Sequence, residues 1–462
     1  MSDDPFVSVV IIGAGGTGLA AALAVADAGL DVIVIERDPV PAGSTAMSTG
    51  LIPAAGTPEQ RAAGIADDPE RFLGDIIAKT NGATDLAVAR RLVEESAETI
   101  AWLRDRHRVP LALVDGFLYP GHSAMRMYGT PNRSGAELMA GLTQAAEAAG
   151  VPVLTNATVT DLNIHGDKIA GVTLVRPDGA EERVACAALI LACSGFGGAP
   201  ETVARWIPEM ADAVFYGHTG NKGDAVRWGQ ALGAELADMA AYQGHGGLAV
   251  GYSIPILWPL IMEGGIQING DGKRFSNEAA GYSEQAAYVN AQPGRYAFSI
   301  FDERLHRLML KFDDYREAFR AGAILQADSV EALALHCRLP LDALQETLAD
   351  VSEMVLGDKS DPFGRNFSGK PILQPPFRAA KVTGALFHTQ GGLVVDENAR
   401  VVRKDGSLIT NLFAGGGAAR GISGPGASGY LAGNGLLTAT SLGKIAGRSA
   451  ATYVASLTTG PP

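Results

Sequence analysis

The chain has 462 residues, 47% hydrophobic and 19% charged, which is enough apolar material for two or three packed domains and excludes a disordered polypeptide. Asp and Glu number 50 against 37 Lys and Arg, and a net charge of −13 argues against a general nucleic-acid partner. The three cysteines (Cys186, Cys193 and Cys337) form no CxxC or CxxCH, which excludes c-type haem attachment and a disulfide framework, argues against a Cys-ligated iron–sulfur cluster, and leaves no metal site expected. The N-terminus lacks a basic stretch followed by an apolar one, so no signal peptide and a reducing, cytoplasmic location are expected. Val7 to Ile12 is β-branched and almost wholly apolar, the pattern of a buried parallel strand. Gly13-Ala14-Gly15-Gly16-Thr17-Gly18 then fits GxGxxG, and Leu19 to Ala28 reads as a helix closed by Gly29. Val32 to Ile35 is a second apolar strand, followed by Glu36, 23 residues past the first glycine. Each part has a physical role. Gly13 permits a tight turn, Gly15 lets backbone approach a pyrophosphate, and Gly18 lets helix and strand pack closely. The helix N-terminus offers N–H donors and positive dipole, while Glu36 can accept ribose hydroxyls. Further on, Asp85 to His107 has helical apolar spacing, a second helix starts at Ser134 and closes at Gly150, and Val151 to Val184 reads as hairpins. Met239 to Met262 contains no Asp, Glu, Lys or Arg, but its prolines, glycines and His245 predict a buried irregular segment and no membrane span. Thr458 to Pro462 is expected to be a frayed tail.

The segments after Glu36 point to one dinucleotide. Arg37-Asp38-Pro39-Val40-Pro41-Ala42-Gly43-Ser44-Thr45 and Gly50 supply small residues after the ribose-binding acid. Leu189 to Gly197 reads LILACSGFG, Leu412 to Gly417 reads LFAGGG, and Gly433-Asn434-Gly435-Leu436 opens a helix to about Ala455. Together these resemble the fumarate reductase/succinate dehydrogenase flavoprotein superfamily, which also holds the 3-ketosteroid dehydrogenases; the likeness covers essentially the whole chain, in order. The resemblance implies an α/β fold: a Rossmann-like, glutathione-reductase-type FAD-binding domain, split over 1–240 and 389–462, with an inserted α+β capping domain at 241–388. It implies FAD held by Gly13, Gly15, Gly16, Gly18, Glu36, Arg37, Ser44, Thr45, Gly50, Val159, Ser194, Gly195, Gly416, Gly417, Asn434, Gly435 and Leu436. No histidine lies between Gly43 and Gly50, so attachment is expected to be non-covalent. Gly417 stands where the family often has a glutamate. The helix near Asn434 is expected to aim its N-terminus at the flavin N1/C2=O edge.

The substrate end departs from the dicarboxylate reductases. Gln243-Gly244-His245 resembles their QTH, and Phe387-His388-Thr389-Gln390-Gly391-Gly392 resembles HHTMGG, so both histidine segments persist. The family's RFVNELTTRD aligns with Arg274 to Ser283 and places Tyr282 where an arginine would clamp substrate; NRLGGNA aligns with Gly429 to Gly435 and places Tyr430 where a second would. Phenols cannot replace two guanidinium forks, each charged hydrogen bond being worth roughly 1.5–3 kcal/mol. Asn277-Glu278-Ala279 followed by Tyr282 resembles the 3-ketosteroid dehydrogenases, where a tyrosine takes the proton. In their Δ4-type members a second tyrosine is followed by a serine, which is Ala432 here. The reaction implied is α,β-desaturation of a cyclic ketone, steroid-like or smaller, with Tyr282 as base, Tyr430 or His388 polarising the carbonyl, His245 near substrate, and hydride passing to flavin N5. Reduction of an activated alkene, of the fumarate or urocanate type, is the alternative. A small-molecule carbonyl substrate is expected; the electron acceptor is not legible. Tyr119 and Tyr128 are further candidates, Arg126 and Arg420 could supply a displaced carboxylate contact, and Trp258 is expected in the cap core.

Overall fold

The computed structural model describes residues 4–116 and 118–458; of the tail set apart in the sequence, 459–462 lie outside the described residues. A parallel sheet carries the first half of the cleft. Its spatial order is Arg400–Val402, Leu408–Ala414, Glu181–Leu191, Phe6–Ile12, Val32–Ile35 and Val153–Leu154. All pairs but the outermost Arg400–Val402 contact are parallel. Strands covered on both faces need no polar alternation, which is why VVII and VIVI are unbroken apolar runs. The helix Gly16–Asp27 crosses one face and packs on the C-terminal helix Gly443–Thr458, where a Cβ on Gly447 would stand 2.3 Å from the Ala21 carbonyl oxygen.

The expected hairpins over 151–184 are partly corrected. Thr158–His165, Lys168–Val175 and Glu181–Leu191 do run antiparallel. Val153–Leu154 instead continues the parallel sheet beside Val32–Ile35, its register fixed by Val34 N–H donating to Pro152 O at 3.0 Å. Asp85 and Ser134 occupy the N-cap positions of the helices Leu86–Ala101 and Gly135–Ala148, as their spacing predicts.

A second sheet is built around the 13-residue strand Phe377–Thr389. Val214–Phe215 joins it in parallel; Tyr242–Ala249, Ala297–Asp302 and Ile324–Ala327 join it antiparallel, and Ile266–Ile268 extends the sheet. Its apolar core includes Trp258, Ile300, Phe301 and Tyr315. The charge-free stretch at 239–262 is buried but less irregular than its composition predicts. It contains the strand Tyr242–Ala249 and the short helix Pro259–Met262. Its glycines bring that strand close to the helix Tyr282–Asn290, for a Cβ on Gly244 would lie 2.5 Å from Ser283 O. Among the described residues no helix is long and apolar enough to cross a membrane.

Candidate active site

One continuous cleft runs from Glu36 and Arg37 past Gly13, Gly15, Gly16, Ser44 and Thr45 to an aromatic chamber. It follows the carboxyl ends of the parallel strands, where open α/β sheets take their ligands. Gly13 has φ +100°, and a Cβ there would meet Ala192 O at 2.6 Å. A Cβ on Gly18 would lie 1.8 Å from Gly13 O, so only glycine lets the helix seat on the turn. Gly15 is the N-cap of Gly16–Asp27 without a side-chain cap, and a Cβ built on it would meet nothing closer than Thr45 Oγ1 at 3.9 Å. The first turn carries no acid, so its N–H groups and dipole keep a positive field. The Glu36 carboxylate accepts from Ala14 N at 2.7 Å and Asp38 N at 3.0 Å. Arg37 donates to Gly220 O at 2.6 Å, while its Nε is buried without a partner among the described residues. Ser44 Oγ accepts from His218 N at 3.1 Å and Asn221 Nδ2 at 2.9 Å; Thr45 Oγ1 accepts from Gly16 N at 3.2 Å. Val159, Ser194, Gly417, Gly435 and Leu436 line the same cleft. An open glycine loop at a helix start, an acid just past the next strand and a guanidinium nitrogen unpartnered among the described residues fit a dinucleotide diphosphate.

Five of the expected cofactor residues do not line the cleft: Gly18, Gly50, Gly195, Gly416 and Asn434. Gly195 and Gly416 allow close approach behind the wall, where a Cβ would meet Thr389 Oγ1 at 2.0 Å and Thr17 Oγ1 at 2.2 Å. Gly50, at φ +66°, abuts Ser134 O. Asn434 is fully buried, with both side-chain polar atoms unpartnered among the described residues.

At the far end, four side chains expected from the sequence converge. Tyr282 opens the helix Tyr282–Asn290, His245 lies on Tyr242–Ala249, His388 ends Phe377–Thr389, and Tyr430 follows the turn Ala427–Gly429. The ring centroids of Tyr282 and Tyr430 are 6.0 Å apart, those of His388 and Tyr430 5.5 Å, and those of His245 and Tyr282 5.3 Å. Gly435 N donates to Tyr430 Oη at 3.3 Å, and a Cβ on Gly435 would stand 2.7 Å from His388 Nε2. A backbone donor, a phenol and an imidazole nitrogen therefore meet at one point. The loop that leads into Tyr282 is anchored at Glu278, whose carbonyl oxygen accepts Trp258 Nε1 at 3.1 Å. The buried Glu278 carboxylate receives Arg274 Nη2 at 2.7 Å, Arg365 Nη1 at 3.0 Å and Gln267 N at 3.1 Å.

Burial sets the charge states. It lowers His388 to about 4 and His245 to about 3, so both imidazoles are neutral at pH 7. It pushes both phenols above the ordinary tyrosine range; Tyr430 raises Tyr282 further, whereas Gly435 N–H and the Tyr282 hydroxyl draw Tyr430 partly back. Arg37 is the only Lys or Arg among the described residues lining the cleft. Asp314, raised to about 6 by burial and then by Glu317 and Asp313, lines it too, as do Tyr119 and Tyr216.

Other candidates fall elsewhere. Arg126 is fully buried and committed to Asp67 at 2.8 Å and Asp75 at 2.6 Å; Arg420 is held by Asp238 at 2.6 Å and Asp85 at 3.0 Å. Neither lines the cleft, so neither is the displaced carboxylate contact the sequence allowed. Tyr128 is bonded to Thr57 and Glu59 outside the cleft. Trp258 belongs to the core of the second sheet as expected, yet it also faces the chamber, 5.5 Å from His245. Sequence reasoning missed Gln243, Tyr216, Phe387, Gln390 and Asp314 as lining residues. Phe387 and Gln390 flank His388 and were readable as its neighbours; Asp314 and Tyr216 carried no local signal.

The sequence family described as an FAD binding domain matches residues 8–436. A probable fumarate reductase of Shewanella frigidimarina (strain NCIMB 400) is 28% identical over 451 residues, covering 96% of this chain and 75% of that protein. The solved structure of a flavocytochrome c3 fumarate reductase in an open conformation superposes with a TM-score of 0.81 at 27% identity, over 97% of this chain and 79% of the other. The 3-ketosteroid Δ4-(5α)-dehydrogenase of Rhodococcus jostii RHA1, solved with 4-androstene-3,17-dione, gives 0.77 at 25% identity over 98% of both chains.

Proposed function

Because the chain belongs to the FAD binding domain family and is an FAD-dependent oxidoreductase acting on CH–CH bonds, we propose that it desaturates the bond α,β to the carbonyl of a neutral cyclic ketone. The observation that carries this is the chamber's make-up: two phenols, neutral imidazoles and a backbone N–H, with no Lys or Arg among its described lining residues apart from Arg37 at the ribose end. A dicarboxylate would enter without a cation to meet it and beside Asp314, at a cost of several kcal/mol. A carbonyl oxygen is suited to the point where Tyr430 Oη, Gly435 N and His388 Nε2 meet.

FAD would be held non-covalently, its ribose on Glu36 and its diphosphate over the Gly15 turn at the helix N-terminus, and it would supply the two-electron acceptor for the β-hydrogen. The donors at Tyr430, whose oxygen Gly435 N–H holds, and His388 stabilise the charge that develops on the carbonyl oxygen and so acidify the α-hydrogen. Tyr282 holds or takes the α-proton. Residues 241–388 act as a cap that places Tyr282, His245 and Trp258 over the chamber and keeps water out. The two raised phenols favour a second reading as well: at neutral pH Tyr282 is a proton donor, the state needed to reduce a neutral activated alkene by the same atoms in reverse.

Anaerobic titration of the purified flavoprotein with cyclic ketones, 3-oxosteroids included, beside succinate tests the proposal. Loss of oxidised-flavin absorbance with a ketone and not with succinate is expected. Bleaching by succinate alone overturns the neutral-substrate reading, and reoxidation of the reduced protein by an enone without bleaching by any ketone selects the reductive one.

A further inference from the structure

We propose that Gln390, itself oriented by Ser423, is a positioning residue that fixes His388 as its Nε2–H tautomer; the inference rests on the reading of His388 as a carbonyl donor. Gln390 and Ser423 are 4% and 1% exposed, so water does not compete for their polar atoms. The Ser423 hydroxyl donates to Gln390 Oε1 at 2.8 Å, and Gln390 Nε2 faces His388 Nδ1 at 3.0 Å. The backbone of Gln390 is pinned on both sides, its N–H donating to Ala241 O at 2.8 Å and its carbonyl accepting Gly421 N at 2.7 Å. The Ser423 proton goes to the amide oxygen, so the amide presents an N–H to Nδ1 at 3.0 Å, closer than the other polar neighbour of that nitrogen, the Thr389 carbonyl oxygen at 3.4 Å. An amide N–H cannot accept, so Nδ1 carries the lone pair and the single proton of the neutral ring sits on Nε2. Nε2 is the atom that faces Gly435, beside Tyr430 Oη. The resembling pattern HHTMGG has methionine at this position, and a thioether cannot donate at all.

The proposal predicts a tautomer that can be read without turnover. Holoenzyme labelled with 15N in histidine is examined at pH 7 by long-range 1H–15N correlation, the His388 signals being assigned with His388→Asn. Protonated Nε2 and unprotonated Nδ1 are expected in the wild type. Gln390→Glu offers a carboxylate acceptor and is expected to move the proton to Nδ1; Ser423→Ala, which frees the amide to turn, is expected to give a mixture. Gln390→Met is expected to keep FAD and lower kcat for the active ketone at least about tenfold with KM little changed, the size of loss typical when the partner orienting a functional imidazole is removed. A wild-type ring protonated at Nδ1, or a tautomer unmoved in Gln390→Glu, overturns the proposal. Failure of the ketone reading leaves the tautomer measurement intact, so the two can be told apart.

Discussion

Tyr282 and Tyr430 share one buried environment but not one electrostatic fate. Burial raises both, yet Tyr430 also receives a backbone N–H from Gly435, which favours its oxygen as the site of negative charge. Tyr282 has no such donor and is raised further by its neighbour. Tyr282→Phe is therefore expected to abolish ketone desaturation while the flavin spectrum and FAD content stay normal; turnover near the wild-type rate would exclude Tyr282 from proton transfer. The sign of the pH dependence follows from the same shift. A phenol raised above its ordinary value is protonated at pH 7, and its ionised fraction grows tenfold per pH unit until the raised pKa is reached. If ionised Tyr282 is the base, kcat for desaturation rises with a slope approaching one between pH 7 and 9. Enone reduction, which uses the protonated form, stays level there. The two histidines, lowered to about 4 and about 3, are neutral throughout this window and contribute no limb. A pH–rate profile in each direction checks both statements.

The Gly13–Gly18 turn with its helix, and the loop before Tyr282, place the site's backbone. Gly18→Ala puts a methyl 1.8 Å from the Gly13 carbonyl oxygen, a backbone atom that must move. We expect a loss of about 1–3 kcal/mol of stability from overpacking, together with release of FAD, because the same shift displaces the N–H groups at Gly15 and Gly16. Urea unfolding and the ratio of flavin to protein measure the two effects. Glu278 is 1% exposed and neutralises Arg274 and Arg365. Removing that charge in Glu278→Gln leaves a buried guanidinium short of its partner, which costs about 3–5 kcal/mol. The loop that runs from Glu278 into Tyr282 is expected to shift with it, so turnover should fall while bound flavin is kept. Local order explains what could be read in advance. Strand, glycine turn, helix, strand and Glu36 lie within one stretch of chain, where each residue's neighbours in space are its neighbours in sequence. Arg126 and Arg420 could not be placed that way: their carboxylate partners Asp67, Asp75, Asp85 and Asp238 come from distant segments, and only folding shows those cations to be already neutralised. Asp314 and Tyr216 reach the cleft by the same long-range route.

At the scale of the whole molecule, two of the connections between the second sheet and the parallel-sheet half bear directly on the site. The first is covalent and continuous. Phe377–Thr389 runs through the second core at Ala379 and Ala380, delivers His388 to the cleft, and ends where Thr389 Oγ1 accepts Phe196 N at 3.2 Å. The second is a side-chain latch. Lys79, on the helix Pro69–Lys79, donates to Ala280 O at 3.0 Å and to Glu284 Oε1 at 2.7 Å, with both charged side chains largely shielded from water. These contacts hold the first turn of the helix that begins at Tyr282. The strand sets where His388 stands, and the latch sets where Tyr282 stands relative to it. Lys79→Met keeps the aliphatic stem but removes both hydrogen bonds and leaves Glu284, whose Oε2 is already unpartnered among the described residues, as an isolated shielded carboxylate. The expected cost is about 1–3 kcal/mol of stability. Because Glu36, Gly15 and Gly16 lie on the other sheet, FAD affinity should be unchanged while kcat for the ketone falls. A variant that loses flavin as readily as it loses turnover would show that Lys79 supports the parallel-sheet half itself and not the register between the two halves.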